Sequence, residues 1–310
     1  MAEQFIRKFG IVIGEGAKLL DVSQLRCVFN VEASTLHAPR TAYLRVYNLS
    51  DATAHTAIKE GTKLFISAGY QENFAQIFAG EITQAWKGRE NGTDTFLDIS
   101  AADSDHLYNF GFVNLTVAAG TDVIGRIGQI AGAVGLKLGT IQAPPGAAKL
   151  ARGRTYFGLA RDHLTEEAAS INADWCIEDG QLDVVNVGGY KPGEPPKITA
   201  KTGMIGVPEQ TELGISVRCL LNPFIKRNMR VFLDNKSIQQ ATLSTQYLDV
   251  ANQVTNFKVS IRADGIYKVL YVNHHGDTRG QDWYSDFVAY SKIVPNSGQL
   301  DYMPHATGTS

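Results

Sequence analysis

Four stretches carry the side chains that could do chemistry. His274-His275-Gly276-Asp277 places two imidazoles beside a carboxylate, which are metal-site ingredients. The residues before it, VLYVN, are apolar and β-branched, so the histidines sit at a strand end. Adjacent strand residues point to opposite faces and cannot grip one ion together. Asp277 is the only further ligand nearby, so the run reads as a strand entering a Gly-Asp turn, with Asp277 or Arg279 fixing the loop. Asp103, Asp105 and His106 form a second cluster, read as a helix start with Asp as N-cap. Lys201-Thr202-Gly203 matches one box of the penicillin-binding enzymes, but the chain contains no Ser-x-x-Lys to supply their nucleophile. Gly120 to Gly139 is dotted with glycine yet holds neither a P-loop nor G-x-G-x-x-G after a strand. The expectation is no catalysis, no cofactor and no metal.

Lys149, Arg152, Arg154 and Arg161 make the only basic run, read as a solvated loop with a docking patch as the alternative. A net charge of −2 over 310 residues lacks the basic footprint of a nucleic-acid binder, so no sequence-specific nucleic acid is expected. No run of 18 apolar residues exists, so no membrane span is expected. The N-terminal MAEQFIRKFG has charges where a signal peptide needs its apolar core, which argues against export by that route. Cys27, Cys176 and Cys219 lie far apart in apolar alternating runs, and read as buried hydrophobes in a reducing cytosol. The sequons at Asn48, Asn91, Asn114 and Asn235 are then chance in a turn-rich chain.

The elements that must position these groups change character twice. Phe9–Gly14, Leu25–Ala33, Thr41–Asn48, Thr62–Ala68, Ile77–Gln84 and Thr95–Ala101 read as strands, with one short helix over residues 48–61. In Thr121–Gly135 the spacing of Val123, Ile127, Ile130 and Val134 gives one face of a helix, with Thr121 as N-cap and Gly135 in the left-handed C′ position. Phe157–Asn172 offers a second helix, with Leu164, Ala168 and Ile171 on one side. Asp179-Gly180, between two apolar runs, is a type I′ hairpin signal. The Pro/Gly-rich YKPGEPPK then acts as a linker. Beyond it Gly214–Leu221, Met229–Asp234, Asn256–Arg262, Ile266–Asn273 and Asp282–Ser291 return to strands. The divisions are 1–103 and 191–291 as β-rich domains, 104–190 as an α+β domain, and 292–310 as a C-terminal arm.

The two β-rich parts echo each other. Leu44-Arg45-Val46-Tyr47-Asn48 answers Val217-Arg218-Cys219-Leu220-Leu221-Asn222, and Lys63-Leu64-Phe65-Ile66 answers Arg230-Val231-Phe232-Leu233. IFAGEITQA, KGRENGTD and TFLDISA are matched by YKVLYVNH, HGDTRGQD and WYSDFVAY. Connections differ in length, so the likeness is one of plan, and chance similarity between hairpins is the alternative.

PEQTELGISVRCLLNP followed by MRVFLDN and later VLYVNHHGDTRGQDWYSD resembles the baseplate hub proteins of contractile-tailed bacteriophages. The matching positions are Pro208, Gln210, Thr211, Gly214, Cys219 to Pro223, His275 to Gly280, and Trp283. Val46 to Ser50, Ser67 to Tyr70, Ile77 to Ile82 and Ala173 to Gly180 fit the same family, so the resemblance spans nearly the whole chain. It implies a mainly β (α+β) chain with two tube-type β-barrel domains, a small α+β domain between them, and a homotrimeric ring of pseudo-sixfold symmetry. It further implies a structural, non-enzymatic hub of a virion tail baseplate, assembled in the host cytoplasm, joining the hexameric tail tube to the trimeric central spike. The implied partners are a second and third copy, the spike, the tube or tube-initiator protein, other baseplate proteins and the tape measure protein. Two alternatives stay open: the same component of a bacteriocin or secretion-type injection machine, and a ligand-binding or hydrolytic β-barrel. Phe224, Ile225, Arg227, Arg279 and Tyr284 are the expected interface residues. For Phe224 and Ile225 the competing reading is burial in their own core. Of Trp283 and Tyr284, one should face inward and one outward.

Overall fold

The structure, a computed structural model, describes residues 6–15, 18–35, 38–50, 61–144, 146–211, 214–234 and 265–290. The strands expected over Asn256–Arg262, the helix over residues 48–61, Asn235 and the C-terminal arm lie largely or wholly outside them. The described chain is mainly β and its sheets are chiefly antiparallel.

The first part contributes β1 (Arg7–Glu15), β2 (Lys18–Asp21), β3 (Cys27–Ser34), β4 (Thr41–Tyr47), β5 (Lys63–Tyr70), β6 (Asn73–Glu90) and β7 (Asp94–Ala102). β3 shows why: Cys27, Phe29, Val31 and Ala33 are buried while the residues between them are only half so, which is the period of a strand with one face on a core. A middle unit follows, with α1 (Asp105–Phe110), β8 (Phe112–Val117), α2 (Val123–Ala133), β9 (Lys137–Ile141), β10 (Arg154–Leu159), α3 (Ala160–Ala169), β11 (Ala173–Glu178) and β12 (Gln181–Asn186). The last part holds β13 (Lys197–Ile198), β14 (Met204–Thr211), β15 (Gly214–Leu220), β16 (Arg230–Leu233), β17 (Ile266–Asp277) and β18 (Trp283–Tyr290).

The first and last parts are not separate sheets. Among the described residues they form one 13-stranded sheet, ordered β2-β1-β5-β6-β7-β4-β3-β17-β18-β15-β14, with β16 on β17 and β13 on β16. The join is β3 against β17, antiparallel from Val28 opposite Asp277 to Ser34 opposite Tyr271. The cores cross this join. Trp283 and Leu221 pack into the cluster of the first part, and Ala33 packs into that of the last. Trp283 is fully buried, meets Phe29 edge-to-face at 5.3 Å and donates its indole N–H to the Gly69 carbonyl at 3.2 Å.

The internal echo holds at the level of register. β3 to β7 lie in the order β3-β4-β7-β6-β5, and β14 to β18 in the order β14-β15-β18-β17-β16. Lys63 faces Glu81 across β5–β6, and Arg230 faces Lys268 across β16–β17. β6 slips its register against β7 between Ile82 and Gln84, and β17 does so against β18 between Val269 and Tyr271. Arg45 forks onto Asp98 at 2.7 and 2.8 Å, and Arg218 onto Asp286 at the same distances. Each guanidinium also lies over the aromatic ring two residues before its aspartate, Phe96 or Tyr284. Strand order, bulge and ion pair recur together, so the two parts share one building plan.

In the middle unit α2 presents Val123, Ile127 and Ile130 to a core of its own. Its N-cap is Asp122 rather than Thr121: the Asp122 carboxylate accepts the Gly125 amide at 2.8 Å, while the Thr121 hydroxyl donates to Ala118. Gly135 takes φ 78°, as a C′ glycine should. The helix expected from Phe157 begins only at Ala160, because Arg154–Leu159 pairs with β8. That segment alternates side chains about a buried Tyr156, a period-2 signal adjoining a helix-period one. The Asp179-Gly180 turn has φ 53° and 74°, the double positive value that a type I′ hairpin needs.

The two Arg–Asp forks differ in burial: Asp98 is 2% exposed, whereas Arg218 and Asp286 are 53% and 30% exposed. Double-mutant cycles should therefore give Arg45–Asp98 a coupling of about 1–3 kcal/mol and Arg218–Asp286 less than about 1 kcal/mol. Urea denaturation of the four single and two double alanine variants measures both. Equal couplings would contradict this reading of burial.

Candidate functional site: a charged joint

The chemistry-bearing side chains gather where the three parts meet. Arg40, entering β4, reaches Asp103 beyond β7 at 3.0 Å, Asp179 in the β11–β12 turn, and Glu178 at 3.6 Å. Glu178 also lies 2.7 Å from Lys191, 3.7 Å from Lys226 and 4.0 Å from Arg227, and Lys191 reaches Asp183 at 2.6 Å. Four cations thus face four carboxylates, and most of these side chains are buried. Burying a charge is tolerable only in such company.

Burial alone would raise the Glu178 carboxyl, but Lys191, Arg40, Arg227 and Lys226 overcome it and hold the group down at about 2. Burial opposes the charge on Arg40, and Glu178, Asp103 and Asp179 outweigh that too. Asp103 moves the other way: desolvation lifts its carboxyl above the ordinary value despite Arg40 and the Asp179 amide. Asp103 is therefore not the helix cap expected. Ser104 precedes α1, and Asp103 instead binds Arg40, the Ser104 hydroxyl and the Asp179 amide.

Arg227, fully buried, donates to the carbonyls of Ser34 at 3.0 Å, Ala38 at 3.3 Å and Ile177. One side chain thus ties the last part to the first and to the middle unit. It arrives there through the Asn222-Pro223 turn. The Asn222 side-chain carbonyl accepts the Phe224 amide at 3.0 Å, and the backbone then delivers Ile225, Lys226 and Arg227 inward. Hence Ile225 and Arg227, expected at an outer interface, are buried inside the chain: Ile225 fills the core of the last part and Arg227 satisfies internal carbonyls. Phe224 is 52% exposed. Arg279 is exposed and donates to the Gln24 carbonyl at 3.0 Å, and Asp277 accepts its amide. Tyr284 is half-buried beside a fully buried Trp283.

The two histidines part as strand geometry requires. His275 contacts Asp286 at 3.2 Å, whereas His274 points into the joint. The Ile225 carbonyl, 3.2 Å from Nε2, can only accept, so Nε2 carries the proton. Nδ1 then accepts from the Ser285 hydroxyl at 2.7 Å, and that oxygen accepts the Asn222 amide at 3.0 Å. The Ser285–His274 contact has the spacing of a nucleophile and its base. Both residues are buried, and the second ring nitrogen is held by a carbonyl rather than a carboxylate, so the pair locks the joint. Among the described residues no group of three His, Cys, Asp or Glu is placed to hold a metal ion. The three cysteines are buried and free, and burial lifts Cys27 to about 12.

Arg40, Asp183, Glu178 and Lys191 had no functional reading in the sequence, and Lys191 lies in the supposed linker. The basic run is also reassigned in part: Arg154 sits in β10 and pairs with Glu166 and Glu167, and Arg161 lies over the Tyr108 ring at 5.3 Å. Lys149 and Arg152 are exposed.

No family model and no curated protein sequence matches the chain. Solved structures do match, and they place it in the fold shared by phage tail and type VI secretion proteins. A tail protein from Neisseria meningitidis MC58 aligns with TM-score 0.59 and 10% identity over 91% of this chain and 96% of that one. The 43 kDa tail protein of prophage MuSo2 from Shewanella oneidensis gives 0.59 and 8% over 91% and 98%. An E. coli component of the type VI secretion system, itself structurally similar to T4 bacteriophage tail proteins, gives 0.56 and 9% over 87% and 74%.

Two outcomes test the joint. Burial, with Arg40 and Lys226 nearby, holds His274 down at about 4, against an ordinary value of 6.5. A histidine kept neutral in the fold stabilises it fully above pH 6.5, and that contribution falls away between pH 6.5 and 4, by about 3 kcal/mol in all. Replacing His274→Gln should flatten the stability profile in that window, and a profile as steep as that of the parent chain would refute the assignment. Glu178 titrates lower, so its contribution is lost only as pH falls from 4.5 towards 2. Glu178→Ala takes the carboxylate of this network from the fully buried Arg227 and one partner each from Arg40, Lys191 and Lys226, and should cost about 3–5 kcal/mol in chemical denaturation at pH 7.

Proposed function

We propose that the chain is a structural baseplate hub joining the hexameric tail tube to the trimeric central spike of a contractile phage tail. One observation carries the reading: a repeated strand plan, with matching bulge and ion pair, in a chain with the fold of tail proteins. A threefold ring of such chains presents six similar positions, which reconciles a trimeric neighbour with a hexameric one. Each strand set acts as one tube-type barrel domain, and the middle unit braces the ring from outside. Its exposed Phe110, Phe112 and Phe157 suit contact with other baseplate proteins.

The work is mechanical rather than catalytic. The charged joint holds three cores in fixed relation, so load applied to one part reaches the others through buried ion pairs and the β3–β17 ladder. A second reading is the same component of a secretion or bacteriocin-type injection machine, favoured by the likeness to the type VI secretion component and to a Francisella PdpA-VgrG complex (TM-score 0.52, 7% identity, 97% of this chain and 61% of that one). In either setting the hub belongs to the particle, the phage version to a virion tail built in the host cytoplasm.

Light scattering should give three copies per particle, and a tagged chain should capture the spike protein encoded beside it. A strict monomer that ignores the spike would overturn the proposal. Spike genes within a phage tail operon, as opposed to a secretion operon, separate the two readings.

A further inference from the structure

The duplicated plan has one asymmetry. β17 carries β18 along one side, and along the other it carries β16 up to Lys268 and β3 from Tyr271 to Asp277. β6 is its counterpart. It carries β7 along one side from Glu81 to Glu90, and along the other it carries β5 only up to Glu81. Gly61 and Thr62 carry that pairing on to Ile82, and among the described residues no strand covers the second side of β6 from Thr83 to Glu90. The counterpart of β3 is β14, the last strand of the sheet, paired on one side with β15 and on the other with nothing among the described residues. The two uncovered edges are therefore the copies of the two edges already joined within the chain.

We propose that β14 of one copy pairs antiparallel with residues 83–90 of β6 in the next copy, repeating between chains the β3–β17 joint made within each chain. Register follows from the repeat. Val28 lies opposite Arg45 and Asp277, and Ile205 lies opposite Arg218, the counterpart of Arg45. Asp277 follows Gly276, which faces Trp283; Glu90 follows Arg89, which faces Thr95 in the same position of β7. Ile205 is thus placed opposite Glu90 of the neighbouring copy.

Two further features fit a covered edge. Ile205, Val207 and Trp86 are large apolar side chains left exposed on these two strands. β14 is also bulged between Ile205 and Glu209, and Pro208 within the bulge withholds a donor. Proline and a bulge blunt an edge against indiscriminate pairing, and leave the residues on either side for a partner of matching register. Because the two edges differ, each copy is bound head to tail, the arrangement that closes into a ring. The number of copies, three, rests on the hub reading; the strand joint does not.

The test is a disulfide across the joint. Ile205→Cys and Glu90→Cys are both outside the core. Chains carrying each change singly, mixed and oxidised, should give cross-linked dimers, and the double variant should give a ladder ending at the closed ring. The native cysteines are buried, and the single variants alone report any contribution from them. Particles of three copies that fail to cross-link would overturn this joint and leave the hub reading standing. A monomer at every concentration would overturn both, and cross-linked open polymers would support the joint against the threefold ring. Hydrogen exchange on the unmodified chain is an independent check: amides of residues 83–90 and of β14 should gain protection as concentration rises, and unchanged protection would refute the pairing.

Discussion

Everything in this molecule depends on keeping Glu178 charged and buried. Its carboxylate sits within reach of cations from three parts of the chain: Arg40 from the first, Lys191 beyond the middle hairpin, and Lys226 and Arg227 from the last. An isolated carboxylate in this place would be expelled or protonated, since desolvation penalises the charged form. The full set of partners exists only when all three parts are docked.

The backbone reinforces the same coupling. Strand pairing between β3 and β17 makes the first and last parts one sheet, and Trp283 and Ala33 each lie in the core of the other part. Two similar strand sets could otherwise rock against each other. A continuous ladder, shared side chains and a charge network at one end of it remove that freedom. The imidazole of His274 and the hydroxyl of Ser285 are spent on internal hydrogen bonds in the same region.

Much of this was legible from residue types. Alternation located most of the strands, Asp179-Gly180 announced its hairpin, and the match of Lys63–Ile66 to Arg230–Leu233 coincides with the observed register. What escaped was whatever depends on contacts distant in sequence. Arg40 reads as one cation in a loop; its partners lie 63 and 139 residues away. Ile225 and Arg227 read as an exposed apolar-basic turn, because nothing local says that Ser34, Ala38 and Ile177 have carbonyls waiting for the guanidinium. Phe157–Leu159 reads as the start of the following helix, since its strand partner, Phe112–Asn114, lies far upstream.

The sequence by itself determined the local periods, the turns, the buried character of the cysteines and the duplication of plan, because each is a property of a few neighbouring residues. Only the tertiary structure decided that the two copies share one sheet and that a supposed linker lysine neutralises a buried glutamate. It likewise decided that the basic turn faces inward. Charge burial and strand pairing are settled by which distant groups meet, and that information belongs to the fold as a whole.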